Sequence, residues 1–500
     1  MLGGAALSFL VEHLLRPKPV LLGRPPAALA VHTGSWLLIF CFEMSLFQRP
    51  YFAASLALAT LLLLVVVSNS KSDVLREPFV FQDFEYFTDA MKHPRLYLPF
   101  FGIGRALLGF AAFIAVLYAG FTLEQSLLTE TGLAGFGIGL AFLTLSGAGL
   151  VWAGVRRVPP ATFDPVEDLR HLGLLASLWC YGLAERQAPA LSHAASIFSS
   201  SAIPGRAALP HIVTVQSESF FDVRRLYAGI HPGLLAQFDD IRKTAVHRGR
   251  LEVPVWGANT VRTEFAFLSG LSQAQLAGHR FNPYRTLARR GVPTLAAFLK
   301  RAGYRTLCVH PYAGSFYARD VVLPALGFDK LIDIRDFTGA EKCGPFIGDV
   351  AAAEKVCSLL ASSRQPALVF VITMENHGPL HMEKVAPDDE RRLYAAPPPP
   401  GFEDLTVYLR HLSNADRMIG VIRRYLEQMP ADGWLCWFGD HVPIMRNVYE
   451  AQGFSDGRTD YFIWGKGSNA HDASPADLRV EDLGGLLLES TGLPSRTLDR

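Results

Sequence analysis

The stretch Tyr51 to Ser70 carries no formal charge and ends in the run Leu61-Leu62-Leu63-Leu64-Val65-Val66-Val67. It has no polar face at helical spacing, and a helix of a soluble protein needs one. About 20 apolar residues cross the hydrocarbon core of a bilayer, so this run constrains the chain to place at least one helix in lipid. Three further uncharged stretches repeat the pattern. They are Pro25 to Phe42 with Trp36-Leu37-Leu38-Ile39-Phe40, Ala106 to Leu123, and Leu133 to Val155. Leu2 to Leu15 is shorter and contains Glu12 and His13, which suits either a further span or a helix lying in the interface. No basic segment precedes it and no A-x-A site follows, which disfavours a cleaved signal peptide.

The expected organisation is a transmembrane anchor of four to five helices over residues 1–157, a linker with one amphipathic helix near His171–Leu183 over 158–207, and one large soluble domain over 208–500. The balance of charge is consistent with this. Lys plus Arg is 47 and Asp plus Glu is 46, for a formal net charge of +1. No basic excess exists to neutralise phosphates along a nucleic acid, so nucleic acid is excluded as a general partner. Half the residues are hydrophobic, which excludes disorder.

After Arg156-Arg157 no long uncharged run recurs. Short apolar runs alternate instead with helical patterns such as Thr294–Ala302 and Val350–Ser362. The runs begin at His211-Ile-Val-Thr-Val215, Thr306-Leu-Cys-Val309, Ala367-Leu-Val-Phe-Val-Ile372, Trp434-Leu-Cys-Trp-Phe438 and Tyr461-Phe-Ile-Trp464. Continuous apolar runs read as strands buried on both faces, and their alternation with helices predicts an α/β domain with a mainly parallel central sheet. Ligands of such sheets sit at the carboxyl ends of the strands.

Four of these ends carry acidic or imidazole groups: Glu218 after the first run, His310 and Tyr312 after the second, Glu375-Asn376-His377 after the third, and Asp440-His441 after the fourth. Oxygen and nitrogen donors converging in one pocket suit a divalent cation such as Mn²⁺, Mg²⁺ or Zn²⁺. A second feature is Asn259-Thr260-Val-Arg-Thr263-Glu264, where a helical period begins. It reads equally as a plain capping arrangement and as a hydroxyl set at a helix N-terminus, where it can attack phosphorus. His377 and His381 are four apart, but Gly378-Pro379 breaks a helix between them. Among six cysteines, Cys41, Cys308 and Cys436 lie in apolar runs, while Cys343 and Cys357 are candidates to pair. The Pro397–Pro400 run reads as a loop spacer.

The ordered set Glu218-Ser-Phe, Asn259-Thr260-x-x-Thr-Glu-Phe, Phe316-Tyr317-x-Arg319-Asp, Glu-Asn-His377-Gly-Pro and Gly-Asp440-His441-x-Pro resembles lipoteichoic acid synthases and the phosphoglycerol transferases that decorate periplasmic glucans. Both belong to the alkaline phosphatase/sulfatase superfamily. The loop Asn69-Ser-Lys71 to Asp83 also looks like one common in that family. The resemblance implies that Glu218, Thr260, Asp440 and His441 hold one metal, Mn²⁺ in the first instance with Mg²⁺ or Zn²⁺ as alternatives. It implies that Thr260 is the nucleophile, and that Arg319 and His377 contact the phosphoglycerol group, with His377 also able to move a proton. Tyr317 stands where the synthases have an aromatic residue, often tryptophan. His310 is added as a substrate contact from its strand-end position.

The implied activity is a metal-dependent phosphoglycerol transferase. It takes the head group of a phospholipid, phosphatidylglycerol in the first instance, through a phosphothreonine, to a glycan or glycerol-phosphate polymer acceptor. A phosphoethanolamine transferase and a degenerate sulfatase-like structural or sensory protein are the alternatives. A sulfatase proper needs a Cys or Ser in a C/S-x-P-x-R setting, absent at the nucleophile position. The basic residues Arg16, Lys18, Arg24, Lys71, Arg76, Lys92, Arg95, Arg156 and Arg157 would place the start of the catalytic domain in the cytoplasm by the positive-inside rule. The family places that domain outside the bacterial inner membrane, and that is the expectation here.

Overall fold

The structure is a computed structural model, and it describes residues 2–20, 23–96, 103–187, 196–199, 209–453, 455–468 and 474–493, without the side chains of 2, 103, 105–110, 112 and 187. The chain divides into two compact units, Met1–Pro189 and Ala190–Arg500.

Among the described residues of the first unit the regular elements are helical, and the α-helices of eight residues or more are α1 (Leu2–Glu12), α2 (Pro26–Phe47), α3 (Pro50–Leu75), α4 (Ile103–Leu123), α5 (Leu127–Val155), α6 (Pro165–Leu172) and α7 (Leu174–Gln187). Among the described residues three helices, α2, α3 and α5, are long and apolar enough to cross a membrane, against an expectation of four to five. The stretch at Ala106 to Leu123 does form α4, but only Phe113–Leu123 of it is apolar within the described part. The N-terminal stretch forms α1, whose 11 residues rise roughly 16 Å, about half a bilayer core.

Small residues set the closest approach of α2 and α5. A Cβ on Gly34 would stand 2.7 Å from the Gly147 carbonyl, and one on Gly154 would stand 2.7 Å from the Ala27 carbonyl. In lipid, where apolar surface gains nothing by leaving water, such close packing is what associates helices. A buried ion pair adds to it: Arg24 Nη2 donates to Glu12 Oε2 at 2.6 Å, and Glu12 Oε1 accepts the backbone N–H of Leu174 at 2.7 Å. The amphipathic segment expected in a linker is therefore two helices, broken at Gly173 (φ 79°), and both belong to this unit. Residues 188–195 and 200–208 of the expected linker lie outside the described residues.

The second unit is built on an eight-stranded sheet of order β10-β2-β9-β8-β1-β7-β3-β4. Its strands are β1 (His211–Ser217), β2 (His247–Glu252), β3 (Arg305–Val309), β4 (Lys330–Ile332), β7 (Ala367–Ile372), β8 (Gly433–Gly439), β9 (Thr459–Gly465) and β10 (Leu478–Arg479). The hairpin β5 (Lys342–Cys343) and β6 (Phe346–Ile347) stands apart. All five expected strands are present. The pairs β1–β7, β1–β8, β3–β7, β3–β4 and β10–β2 are parallel, while β9 runs antiparallel to both β2 and β8.

Both faces of the sheet are covered, which is why the strands read as unbroken apolar runs. Along β1, Val213 and Val215 face one core with the helices α8 (Ala236–Thr244), α11 (Asp349–Ala361) and α12 (Glu403–Gln428). Ile212 faces the other, with α9 (Thr260–Ser269), α10 (Leu295–Arg301) and α13 (Val480–Ser490). The period-2 alternation of side chains makes this split. Phe267 of α9 is the keystone of the second core, its ring 4.8 Å from Phe438 on β8 and 5.8 Å from Phe370 on β7. Phe267→Ala is expected to cost about 3–5 kcal/mol, read as a lowered thermal transition of the purified full-length chain.

All six cysteines are free, so the pairing of Cys343 with Cys357 is not formed. Cys343 Sγ instead accepts from Asn414 Nδ2 at 3.5 Å.

Candidate metal and phosphoryl-transfer site

The carboxyl ends of β1, β8, β7 and β3 deliver Glu218, Asp440-His441, His377 and His310 to the same edge of the sheet. β1 lies between β7 and β8, so Glu218 and Asp440 leave adjacent parallel strands in register, with Ser217 paired to Gly439. Ligand atoms of Glu218, Asp440 and His441 all lie within 4.8 Å of one another, and the three residues are buried. His441 Nε2 stands 3.4 Å from Glu218 Oε1 and 3.5 Å from Asp440 Oδ2.

Each group is held from behind. Asp440 Oδ1 accepts the N–H groups of Ser219 (2.8 Å) and His441 (2.9 Å). Glu218 N–H donates to Thr373 Oγ1 at 2.9 Å, and Ser219 Oγ–H reaches Glu218 Oε1 at 3.2 Å. His441 Nδ1 lies 3.1 Å from the Val442 carbonyl. A proton on Nδ1 satisfies that carbonyl and leaves the Nε2 lone pair facing the two carboxylates, which is how a metal-ligating imidazole is oriented.

Three observations fit a divalent cation between these groups. Asp440 Oδ2 is buried without a hydrogen-bond partner, and a buried charge needs one. Two carboxylates share a site whose one neighbouring base is His441. Burial, and then the charge of Asp440, pushes the Glu218 carboxyl up to about 8, as for an acid that shares a buried site with a second carboxylate. The donor set of two carboxylates and one imidazole suits Mn²⁺, Mg²⁺ or Zn²⁺ alike.

Thr260 is the first residue of α9. The capping reading does not hold. The residue before the helix is Asn259, in the left-handed region at φ 64° with no side-chain cap bond, and Gly257 at φ 70° precedes it. Thr263 and Glu264 are both spent elsewhere. Thr263 Oγ–H donates to the Asp440 carbonyl at 2.8 Å, which ties the first turn of α9 to the end of β8. Glu264 accepts from Arg319 Nη2 at 2.7 Å and from the Tyr284 hydroxyl. The left-handed turn thus sets a hydroxyl, rather than a cap, at the positive end of a ten-residue helix.

Arg319 opens the helix Arg319–Ala325 and is buried. Its fork is already engaged: Nη2 with Glu264, and Nη1 with His310 Nε2 at 3.1 Å. A guanidinium only donates, so His310 Nε2 accepts and Nδ1–H donates to the Ile372 carbonyl at 3.2 Å. Burial and the Arg319 charge hold His310 well below the usual histidine range, so it is neutral. Arg319 Nε is buried without a hydrogen-bond partner. Two of the five guanidinium N–H groups are therefore spent inside the protein, and Nε–H is among those left for a ligand. Tyr317, in the left-handed region at φ 55°, lies with its ring centre 5.2 Å from the guanidinium carbon. His377 follows β7, with Nδ1 2.7 Å from the Gly378 carbonyl and the Phe346 ring 5.7 Å away. Burial holds it below the usual range. Tyr312 sits against the rings of Phe316 and Phe346 at 5.5 and 6.1 Å, a packing position.

Glu264, Tyr284, Ser219 and Thr373 complete the site without having been expected there. Ser219 and Glu264 carried a signal only as members of the quoted motifs, Glu264 also as the acid of a possible capping pair. Glu264→Gln leaves the buried Arg319 charge unpaired and is expected to destabilise the chain by about 3–5 kcal/mol, measured as a loss of thermal stability. Adding Mn²⁺ to the chelator-stripped chain is expected to raise that stability, by about 3 kcal/mol at a hundredfold excess over Kd. Asp440→Asn abolishes the rise.

The family described as Sulfatase matches residues 210–493. The capsular polysaccharide biosynthesis protein RkpI of Rhizobium meliloti (strain 1021) is 28% identical over 448 residues, 85% of this chain and 79% of that protein. Among solved structures, the phosphoglycerol transferase GacH of Streptococcus pyogenes, in complex with sn-glycerol-1-phosphate, aligns at TM-score 0.48 and 22% identity over 59% of this chain and 77% of that one. The lipoteichoic acid synthase LtaP of Listeria monocytogenes aligns at TM-score 0.46 and 18% identity, over 63% and 77%. With more than half of its residues under the family match and the buried strand-end site inside that match, the chain belongs to the Sulfatase family.

Proposed function

We propose that this chain is a membrane-anchored, metal-dependent phosphotransferase that moves a glycerol-phosphate head group from a phospholipid to a glycan or glycerol-phosphate acceptor. The observation that carries the reading is the placement of Thr260. It heads α9, whose first turn is bonded through Thr263 to Asp440 of the Glu218–Asp440–His441 cluster. A hydroxyl at the N-terminus of a helix whose first turn is bonded to the strand end that carries Asp440 is suited to attack phosphorus.

Glu218, Asp440 and His441, with the Thr260 hydroxyl, would hold the cation, Mn²⁺ in the first instance. When bound it supplies Lewis-acid polarisation of a phosphoryl oxygen and a lowered hydroxyl pKa. The Thr260 oxygen forms a bond to phosphorus as the bond from phosphorus to the diacylglycerol oxygen breaks. Diacylglycerol leaves with a proton, and glycerol phosphate remains esterified to Thr260. An acceptor hydroxyl then forms the new phosphodiester and frees Thr260. His377, neutral by burial, is suited to take the Thr260 proton and pass it to the diacylglycerol oxygen, and then to take the acceptor's proton and return it to the freed Thr260. Arg319 stabilises the phosphoryl charge through its Nε–H and its field, and Glu264 and His310 hold it still. Tyr317 stacks on that guanidinium and borders the glycerol moiety.

The three membrane-length helices support an anchor that concentrates the site near its lipid donor, with the catalytic domain outside the bacterial inner membrane. The similarity to a capsular polysaccharide biosynthesis protein supports a glycan among the acceptors.

The test is release of diacylglycerol from labelled phosphatidylglycerol with Mn²⁺, with mass spectrometry of the Thr260 peptide. Wild type is expected to release diacylglycerol and carry glycerol phosphate on Thr260. Thr260→Ala is expected to fall by on the order of 10⁴-fold or more, and His377→Asn by about 10²–10⁴-fold. Equal release by wild type and Thr260→Ala overturns the reading. Release from phosphatidylethanolamine in its place would make the chain a phosphoethanolamine transferase.

A further inference from the structure

Between α2, α3, the short turn Phe81–Glu85 and α7 lies a cavity of ≈ 340 Å³ whose walls include Leu38, Leu64, Phe84, Leu178 and Leu183. It is wholly inside the helical unit. α7 presents a continuous stripe to it: Leu175, Leu178, Trp179, Gly182, Leu183 and Arg186 all line it, at the spacing of one helical face. Gly182 lets Phe81 come close, since a Cβ there would stand 3.2 Å from the ring. The one hydroxyl in the lining, Ser35 Oγ, is already taken by Trp179 Nε1–H at 2.9 Å. The walls are therefore apolar except at one end, where Arg186 in the last turn of α7 is the lining cation.

Lys71 is paired with Glu77 and Asp83, each at 2.6 Å, and Glu185 accepts a hydrogen bond from the Gln82 amide at 3.2 Å. Among the described residues, no carboxylate pairs with Arg186. From Leu175 to Arg186 the helix rises roughly 16 Å, close to half of a bilayer core of about 30 Å. Trp179 and Phe84 stand 41% and 39% exposed on the rim, so the groove is open on the side of those rings.

We infer that this groove seats one acyl chain of an anionic phospholipid, with the lipid phosphate at Arg186. An apolar slot one leaflet deep with a single cation at its end matches a lipid in length, polarity and charge. The inference rests on the reading of this unit as membrane-embedded and adds a lipid seat to it.

The experiment uses the full-length chain in vesicles of phosphatidylcholine containing a small fraction of phosphatidylglycerol with a photoreactive acyl chain. The same label on uncharged diacylglycerol is the control. Crosslinks are expected to concentrate in Ser35–Ile39, Phe81–Phe84 and Leu175–Arg186, above those on the exposed α5 residues Leu133, Phe142 and Trp152. Arg186→Gln is expected to lower the phosphatidylglycerol signal there about fivefold and to leave the diacylglycerol signal unchanged. Leu183→Trp fills the slot and is expected to lower both by about fivefold or more, with an unchanged thermal transition showing that the fold is intact. Even labelling over all the spans, or indifference to both substitutions, overturns the inference. Release of glycerol phosphate from a short-chain, water-soluble donor by wild type is read separately. Its failure would overturn the transfer reading and leave the groove to be decided by the crosslinks.

Discussion

Two carboxylates and an imidazole are brought within 4.8 Å of one another in a buried site, and the rest of the catalytic unit is arranged around the cost of doing so. Burying one uncompensated carboxylate is unfavourable by several kcal/mol. Here the cost is met in part by backbone donors: two N–H groups on one oxygen of Asp440. The other oxygen is left without a hydrogen bond. Such a site is stable only on a scaffold that cannot relax around it. A sheet covered on both faces, with β1 at its centre between β7 and β8, is that scaffold.

A second buried charge is handled differently. Arg319 is paired with Glu264, braced by neutral His310, and stacked near Tyr317. The pairing fixes the guanidinium in place before any substrate arrives. The pair is neutral overall, and it leaves the guanidinium's remaining N–H groups, Nε–H among them, as oriented donors. The proposed phosphoryl position lies between a fixed cationic group and the buried acids, with the dipole of α9 adding to the cationic side.

The parts of this architecture legible in the sequence were those with local signals. The five long strands announced themselves because both faces of each are buried. β2 did not, since Arg248 and Arg250 alternate along it, and β4 and β10 are short edges. The antiparallel entry of β9 was invisible for a related reason: a strand buried on both faces reads the same in either direction. Glu218, Asp440 and His441 were legible as donors just past apolar runs. The ion pair of Arg319 with Glu264 spans 55 residues, and no local pattern encodes it. The Thr263-Glu264 pair left two readings open for a physical reason. The residue types of a capping box are also those that reach across to a strand end and a buried arginine, and only the left-handed Asn259 separates the two. Likewise Cys343 and Cys357 were candidates only because they lie outside the apolar runs, and they have no covalent partner in three dimensions.

The register of β1 with β8 has a consequence for assembly. Glu218 and its partners Asp440 and His441 are separated by more than 220 positions, and Ser217 meets Gly439 only when β8 is laid beside β1. A growing chain that has emerged as far as β7 presents one lone carboxylate, a weak ligand. A cation held by all three groups would therefore be held only by a nearly finished domain. Shortened products of translation that end before β8 would lack two of its three ligands.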